Sequence, residues 1–161
     1  MVMTTRVFEE DEAASPVDDQ LSNIVQLFPV KENAKRSTQK KQFVYVQFVK
    51  EGYHAFPEAA TDPKYATGGK YDVSHLGTRH FHYFYFKVWV EVTHENRDIE
   101  FIQLRRWLES LYNGGALEMN NQSCEMISDA LHAAVFTKYP VDIKIDVSED
   151  NINGSYTEYT T

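Results

Sequence analysis

The chain has 161 residues, with 16 Lys and Arg against 24 Asp and Glu, so its formal net charge is −8. This length suits one domain with a hydrophobic core, and the acidic balance argues against general binding to the phosphate backbone of nucleic acids. The single cysteine excludes a disulfide framework and a zinc site of several thiolates, and it fits a reducing compartment. Since no apolar run approaches the roughly 18 residues of a membrane span, we expect a cytoplasmic protein without a membrane partner.

Charged residues are concentrated in the N-terminal quarter of the chain. Residues 1–20 carry a net charge of −5, and residues 31–41 carry a net charge of +4. Opposite charge blocks among Ser, Thr and Ala are typical of a solvated tail. We therefore predict a flexible charged arm over 1–41 and a folded domain over 42–161.

The folded domain is predicted to begin with a strand. Residues 42–49 are rich in Val, Phe and Tyr, which is the composition of a strand. The chain then runs through Gly52 to Pro57, which predict a bulge and the end of the strand. A loop follows over 61–79, and a loop of about twenty residues inside a compact domain is typically functional or mobile.

The strongest strand pattern in the sequence is HFHYFYFKVWVEV over 80–92. Because alternate residues of a strand point to opposite faces, one face begins with His80 and His82 and continues with apolar side chains. The other face carries aromatic side chains together with Lys87 and Glu91. That second face suits partial exposure or a contact between subunits.

Two helices and two more strands complete the predicted order. Apolar residues recur with the period of a helix over 99–112 and again over 123–138. Alternating Val and Ile over 141–147 predict a strand, and a last short strand is predicted over 155–159. This order predicts an α+β domain in which two helices pack on one face of a four-stranded antiparallel sheet.

Three of the six histidines are predicted to meet at one end of this sheet. If the first two strands pair antiparallel, His54 at the end of the first lies beside His80 and His82 at the start of the second. Three neutral imidazoles with an open fourth position are the ligand set of a catalytic zinc site. The alternative is a pair of strand-edge histidines that hydrogen-bond to loop backbone. Two other histidines are predicted at the surface, His94 and His132.

Four short motifs occur in an order that resembles a known family. They are His54 at the end of the first strand, His80-Phe81-His82-Tyr83-Phe84 opening the second, Ile99-Glu100-Phe101 before the first helix and Gln122-Ser123-Cys124-Glu125 opening the second helix. Over roughly 42–159 the chain resembles the 6-pyruvoyl- and 6-carboxytetrahydropterin synthase family. The resemblance implies the tunnelling fold, which has a four-stranded antiparallel sheet with two helices, and a ring-shaped homo-oligomer with active sites between subunits.

The resemblance also implies a metal and a substrate class. His54, His80 and His82 correspond to the family's Zn²⁺ ligands. The metal would polarise the oxygen groups of the substrate side chain and acidify the adjacent C–H bond. The substrate implied is a pterin or a purine-like heterocycle.

Acidic residues in the matched motifs are expected to bind this heterocycle. The family has a late glutamate eight residues before a tyrosine, and here Glu149 stands seven residues before Tyr156, with Asp146 as the alternative. A carboxylate can accept two N–H bonds from a pterin or guanine-like edge in a bidentate, charge-assisted contact. Glu100 and Glu125 are the other acids of the matched motifs that we expect at the ligand.

The residues that transfer protons in the family are not matched. Leu76 stands where the family has a cysteine four residues before the first histidine of His-x-His, and the connector over 113–122 has neither the Asp nor the His of the family's pair. Cys124 is either a thiol whose pKa the helix dipole lowers or a small residue that fills a helix turn. The remaining candidates for an acid or base are His75, which is otherwise a spare ligand or a loop residue, Tyr71 and Glu118.

Three functions are compatible with these features. The first is a divergent zinc enzyme, a lyase of the pterin synthase type, that acts on a pterin or purine-like substrate with acid–base groups from the 61–79 loop. The second is a non-catalytic homo-oligomer that binds a purine, pterin or nucleotide ligand. The third is an assembly protein whose histidines are structural.

Overall fold

The computed structural model of the chain describes residues 40–161, so the predicted arm over 1–41 lies almost entirely outside the described residues. Within that range the strands are β1 (Gln42–His54), β2 (His80–Val92), β3 (Leu117–Asn120), β4 (Ile143–Glu149) and β5 (Asn153–Tyr159). The α-helices are α1 (Phe101–Leu111) and α2 (Cys124–Lys138), and two short 3-10 helices, Pro57–Ala60 and Ser74–Gly77, lie between β1 and β2. Neither α-helix of the described range has the length and apolarity that crossing a membrane requires.

The strands form one mixed sheet in the order β3-β1-β2-β4-β5. The pairs β1–β2, β2–β4 and β4–β5 are antiparallel, whereas β3 is parallel to β1. The predicted α+β class with two helices is confirmed. The predicted four-stranded antiparallel sheet is wrong in one respect, because the connector between the helices adds β3 as a parallel fifth strand. The sequence LEMN of β3 does alternate apolar and polar residues, but four residues are the shortest length at which this pattern indicates a strand.

Both helices pack on one face of the sheet, the face that the alternation in β2 predicted to be apolar. Phe84, Phe86, Val88 and Val90 are at most 1% exposed. Full burial of each such side chain contributes about 1.5–3 kcal/mol. The same hydrophobic cluster contains Leu104 and Leu108 of α1, Ile127, Leu131 and Val135 of α2, and Ile143, Ile145 and Val147 of β4.

The opposite face of the sheet, called the outer face below, is partly exposed, as the sequence predicted. Its aromatic side chains alternate with those of the core along β1, β2 and β5. Lys87 lies over the rings of Tyr45 and Trp89, 4.7 Å from each centroid. The most exposed aromatic residues of this face are 40–56% exposed, namely Tyr45, Phe81, Tyr83 and Tyr156.

The pairing of β1 with β2 brings the histidines together. Each residue of β1 faces one residue of β2 without interruption, and His54 faces His80. The predicted bulge at Gly52 is therefore wrong: the irregularity of β1 lies on its other edge, where its pairing with β3 shifts between Tyr53 and His54. Packing explains the glycine at position 52 instead, since a Cβ at this position would lie 2.9 Å from the ring of Phe84.

Candidate metal centre

The side chains of His54, His80 and His82 form a cluster at one end of the sheet. One ring nitrogen from each lies within 4.8 Å of the others, and the ring centroids are 4.6–5.1 Å apart. The paired strands direct all three rings to the helix-bearing face, where the ring of Phe84 packs against His54 and His82. The histidines that the sequence predicted to meet therefore do meet, and they can hold a metal ion.

Each imidazole has its Nδ1 atom beside a hydrogen-bond acceptor. His54 Nδ1 lies 3.3 Å from the Gln122 carbonyl oxygen, and His80 Nδ1 lies 2.7 Å from the Thr78 carbonyl oxygen. Since a carbonyl oxygen can only accept, each Nδ1 carries the proton and donates. In the neutral ring the lone pair is then on Nε2.

Asp150 provides the third of these acceptors. Its Oδ2 atom lies 2.6 Å from His82 Nδ1, and its Oδ1 atom accepts a hydrogen bond of 2.9 Å from the Tyr83 backbone N–H. The hydrogen bond from His82 holds the pKa of the Asp150 carboxyl below its usual range. A carboxylate that accepts from the second nitrogen of an imidazole is the arrangement that orients histidines in metal sites.

The Nδ1 hydrogen bonds leave the Nε2 atoms as the ring nitrogens that can bind a metal ion. In the part of the chain that the structure describes, the Nε2 atoms of His54 and His82 are buried and have no hydrogen-bond partner. An unpaired buried polar atom costs free energy, and a metal ion removes this cost. Two unpaired Nε2 atoms in the cluster, together with an Nδ1 hydrogen bond on each of the three rings, fit a metal centre better than a structural pair of histidines.

Glu149 is the acid that the sheet directs to this cluster. It ends β4 opposite Phe84 of β2, and its Oε1 atom lies 3.3 Å from His54 Nε2 while its Oε2 atom lies 3.7 Å from His82 Nε2. Asp146, the alternative, lies three residues earlier in the alternation of β4 and lines a cavity on the outer face. Glu149 is therefore the residue that reaches the site.

A cavity of about 280 Å³ lies beside the histidines. Its size is close to the lower limit for small-molecule sites, and it combines apolar walls with a few convergent polar groups. The hydrogen bond from Phe56 N–H to the Leu76 carbonyl oxygen, 2.8 Å long, joins two residues that both line this cavity. The residues that line it include His54, Leu76, His80, Cys124, Glu125 and Glu149.

Two predicted residues at the start of α2 do reach the cavity. Glu125 lies in the first turn, where a hydrogen bond with Ser123 lowers its pKa. Cys124 is buried, and burial together with the charge of Glu149 raises the pKa of its thiol to about 12. Of the two interpretations of Cys124, the thiol with a lowered pKa is therefore wrong, and the thiol stays protonated at neutral pH.

The other candidate acids and bases are engaged or exposed. Glu118 lies on β3 and accepts two hydrogen bonds from Arg79, of 2.7 and 2.9 Å, which lower its pKa. His75 is exposed on the second 3-10 helix, and the residue after it, Leu76, is the one that lines the cavity. Tyr71 is 78% exposed.

Glu100 is the one predicted ligand residue that the structure places far from the site. It is the N-cap of α1, where its carboxylate accepts a hydrogen bond of 2.8 Å from the Gln103 N–H. It follows the C-terminal end of β2, whereas His80 begins that strand, and thirteen strand residues span about 40 Å. Within one chain, Glu100 therefore caps a helix at the opposite end of the sheet.

The remaining histidines lie away from the cluster. His94 is exposed beside Asp98, as predicted. His132 is only half-buried rather than fully at the surface, because its ring stacks on Tyr159 with centroids 3.8 Å apart.

Asp150 is the site residue that sequence reasoning missed. The only local signal is the turn Asp150-Asn151, where both residues have positive φ values of 52° and 56°, which Asp and Asn tolerate better than most residues. That signal predicts a hairpin turn but not a partner for Asp150.

A comparison with protein-family models and a comparison with curated proteins both find no match to this chain. The functional argument therefore depends on the geometry of the site.

Proposed function

We propose that the chain is a divergent tunnelling-fold zinc protein of the 6-pyruvoyl/6-carboxytetrahydropterin synthase type, which acts on a pterin or purine-like heterocycle. The observation that carries this proposal is the cluster of His54, His80 and His82. Each ring donates from Nδ1 to a fixed acceptor, and the three rings cluster beside a ligand-sized cavity. The antiparallel order β1-β2-β4-β5 with two helices on one face supports the tunnelling fold.

Zn²⁺ is the metal we propose, since imidazole nitrogens are ligands that suit it. When bound, it supplies a Lewis acid that polarises a substrate oxygen. The Gln122 and Thr78 carbonyl oxygens and the Asp150 carboxylate hold the three rings in one tautomer and one orientation. Leu76 provides an apolar wall of the cavity and excludes water from that side.

The carboxylate of Glu149 is the proposed anchor for the heterocycle. It lies at the boundary between the histidines and the cavity, and its side chain is 25% exposed. Adjacent N–H groups on a pterin or guanine edge match its two oxygen atoms. Glu125 lies in the same cavity and supplies a second acceptor.

The second candidate function is binding without turnover. This function is favoured because two residues that line the cavity are poorly suited to proton transfer. Leu76 has no titratable group, and the Cys124 thiol, with a pKa of about 12, is a poor base at neutral pH. A site of this kind retains the metal and the ligand anchor and holds a purine, pterin or nucleotide unchanged.

We also propose that the protein is a cytoplasmic homo-oligomer. The outer face carries aromatic side chains that are 40–56% exposed, and the sheet ends in β5 on one side and the four-residue β3 on the other. Apolar faces and open strand edges favour association with further copies. A single buried cysteine suits the reducing cytoplasm.

Native mass spectrometry of the purified protein tests these proposals together, because it reports copy number, bound metal and any small molecule that copurifies. A matched pair of variants distinguishes a proposed ligand from an exposed histidine. His80→Ala should lose Zn²⁺, whereas His94→Ala should retain it. Protein that contains no Zn²⁺ and whose melting temperature is unchanged by a chelator would refute the metal site.

Incubation with dihydroneopterin triphosphate and with guanine nucleotides distinguishes the two functions. Turnover that is lost in His80→Ala supports the enzyme. Recovery of unchanged ligand with the protein, also lost in His80→Ala, supports the binding function. Neither turnover nor binding of any of these compounds would refute a pterin or purine-like substrate.

A further inference from the structure

The contact between Glu149 and the histidines brings acceptor atoms face to face. An ionised carboxylate only accepts hydrogen bonds, and the Nδ1 hydrogen bonds leave lone pairs on the Nε2 atoms of His54 and His82. Oε1 nevertheless lies 3.3 Å from one Nε2 atom, and Oε2 lies 3.7 Å from the other. Lone pairs that face each other in a half-buried site repel, and a cation between them would remove this repulsion.

The contact geometry favours a metal ion over a proton. Neither contact is a hydrogen bond, since the Nε2 atoms of His54 and His82 are buried without a partner in the described part of the chain. In a tetrahedral site with metal–ligand bonds of about 2.0–2.2 Å, neighbouring ligand atoms lie about 3.3–3.5 Å apart, and the 3.3 Å between Glu149 Oε1 and His54 Nε2 matches this separation. A proton on each Nε2 would also place two cationic rings side by side, with centroids 5.1 Å apart.

From this spacing we propose that Glu149 is the fourth ligand of the metal in the ligand-free protein. The inference rests on the proposed function, because it requires a metal at His54, His80 and His82. The sequence predicted three histidines with an open fourth position, whereas the structure assigns that position to a carboxylate of the same chain. A substrate oxygen must then displace Glu149 to reach the metal.

Glu149 is placed so that it can serve both the metal and the substrate. Its backbone is held by pairing with Phe84 on one side and Asn153 on the other. Its side chain borders the cavity, so rotation about side-chain bonds alone moves the carboxylate from the histidines towards a bound heterocycle. The same carboxylate therefore closes the site without substrate and accepts N–H groups once a substrate has displaced it.

The test measures the affinity for Zn²⁺ alone by competition with a chromophoric chelator. Loss of a residue that only supports a metal ligand costs about 10–100-fold in affinity, so Glu149→Gln should lower the affinity for Zn²⁺ by at least about tenfold. Glu158→Gln on β5 is the matched control, since the Glu158 carboxylate accepts hydrogen bonds from Lys144 and Tyr156 and has no part in the site. Its affinity should stay within about twofold of the wild type.

The outcomes separate this inference from the proposed function. If Glu149→Gln binds Zn²⁺ as tightly as the wild type while His80→Ala does not bind it, the fourth-ligand inference is overturned and the three-histidine site stands. If the wild type binds no Zn²⁺, both are overturned. If Glu149→Gln does not fold, a crystal structure of the Zn²⁺-loaded wild type decides. A Glu149 oxygen about 2.0–2.2 Å from the metal supports the inference, and a water in that position overturns it.

Discussion

The role of Asp150 gives the sharpest prediction about the metal centre. In the wild type its two carboxylate oxygens accept from two different donors, His82 Nδ1 and the Tyr83 N–H. Asp150→Asn preserves the size of the side chain but replaces one acceptor by an NH₂ donor. Either His82 Nδ1–H or the Tyr83 N–H then faces the NH₂ group of the asparagine. Only one of these two donors keeps an acceptor.

The magnitude follows from the role of the lost hydrogen bond. If the asparagine oxygen stays with Tyr83, His82 loses the charged partner that fixes its tautomer and its ring orientation. Loss of such an outer-shell partner lowers metal affinity by about 10–100-fold, which corresponds to about 1.4–2.7 kcal/mol. The effect on the free energy of unfolding without metal should be smaller, because the Asp150 side chain is 42% exposed and half-exposed hydrogen bonds are replaced by bonds to water.

The assay is competition for Zn²⁺ between the protein and a chromophoric chelator, with melting temperatures measured in excess chelator. Asp98→Asn is the matched control. Asp98 also accepts from a backbone N–H, that of Thr93, and lies beside a histidine, His94, but it is remote from the cluster. If Asp150→Asn and Asp98→Asn both bind Zn²⁺ with wild-type affinity, the supporting role assigned to Asp150 is wrong.

Three further predictions concern packing and charge. Gly52→Ala should lower the free energy of unfolding by about 1–3 kcal/mol in urea titrations, because its Cβ would lie 2.9 Å from the Phe84 ring; an unchanged value would contradict the close packing of β1 on that ring. Cys124 should react with thiol reagents at pH 8 only after unfolding, since a pKa of about 12 leaves about one thiolate in ten thousand, and labelling of the folded protein at the rate of a free cysteine would contradict its burial. The hydrogen bond from Lys41 lowers the pKa of Asp142 from 3.8 to about 2, so its stabilising effect is present above about pH 4 and is lost as the pH falls towards 2. Thermal melts from pH 5 to 2 should show a weaker decline for Asp142→Asn than for the wild type, and equal declines would refute this assignment.

Several parts of the fold could be predicted because their signals are local. β2 has the bounds predicted from its thirteen-residue alternation, and α2 begins after Ser123, whose side chain accepts a hydrogen bond from the Met126 N–H. β3 could not be predicted, because its pairing with β1 depends on the chain returning to that edge after α1. The prediction of a bulge at Gly52 was wrong for a related reason. The glycine is required by the ring of Phe84 on the neighbouring strand and not by the backbone of its own strand.

The candidate site also combines features that local patterns predict with features that depend on contacts between distant residues. The spacing of His80 and His82 places both on one face of a strand, and the order of the elements was enough to bring His54 beside them. Which atoms surround those rings depends on contacts between residues far apart in the chain, such as Asp150 with His82 and Gln122 with His54, both 68 residues apart.

The sequence by itself determined the α+β class, the buried face of β2 and the identity of the three clustered histidines. Each of these follows from side-chain periodicity and strand order, which are properties of short segments. Only the tertiary structure decided that every Nδ1 atom has an acceptor, that Glu149 rather than Asp146 faces the Nε2 atoms, and that Glu100 caps a distant helix. The physical reason is that tautomer, ligand geometry and carboxylate position depend on ångström-scale distances between strands, and no local pattern encodes these distances.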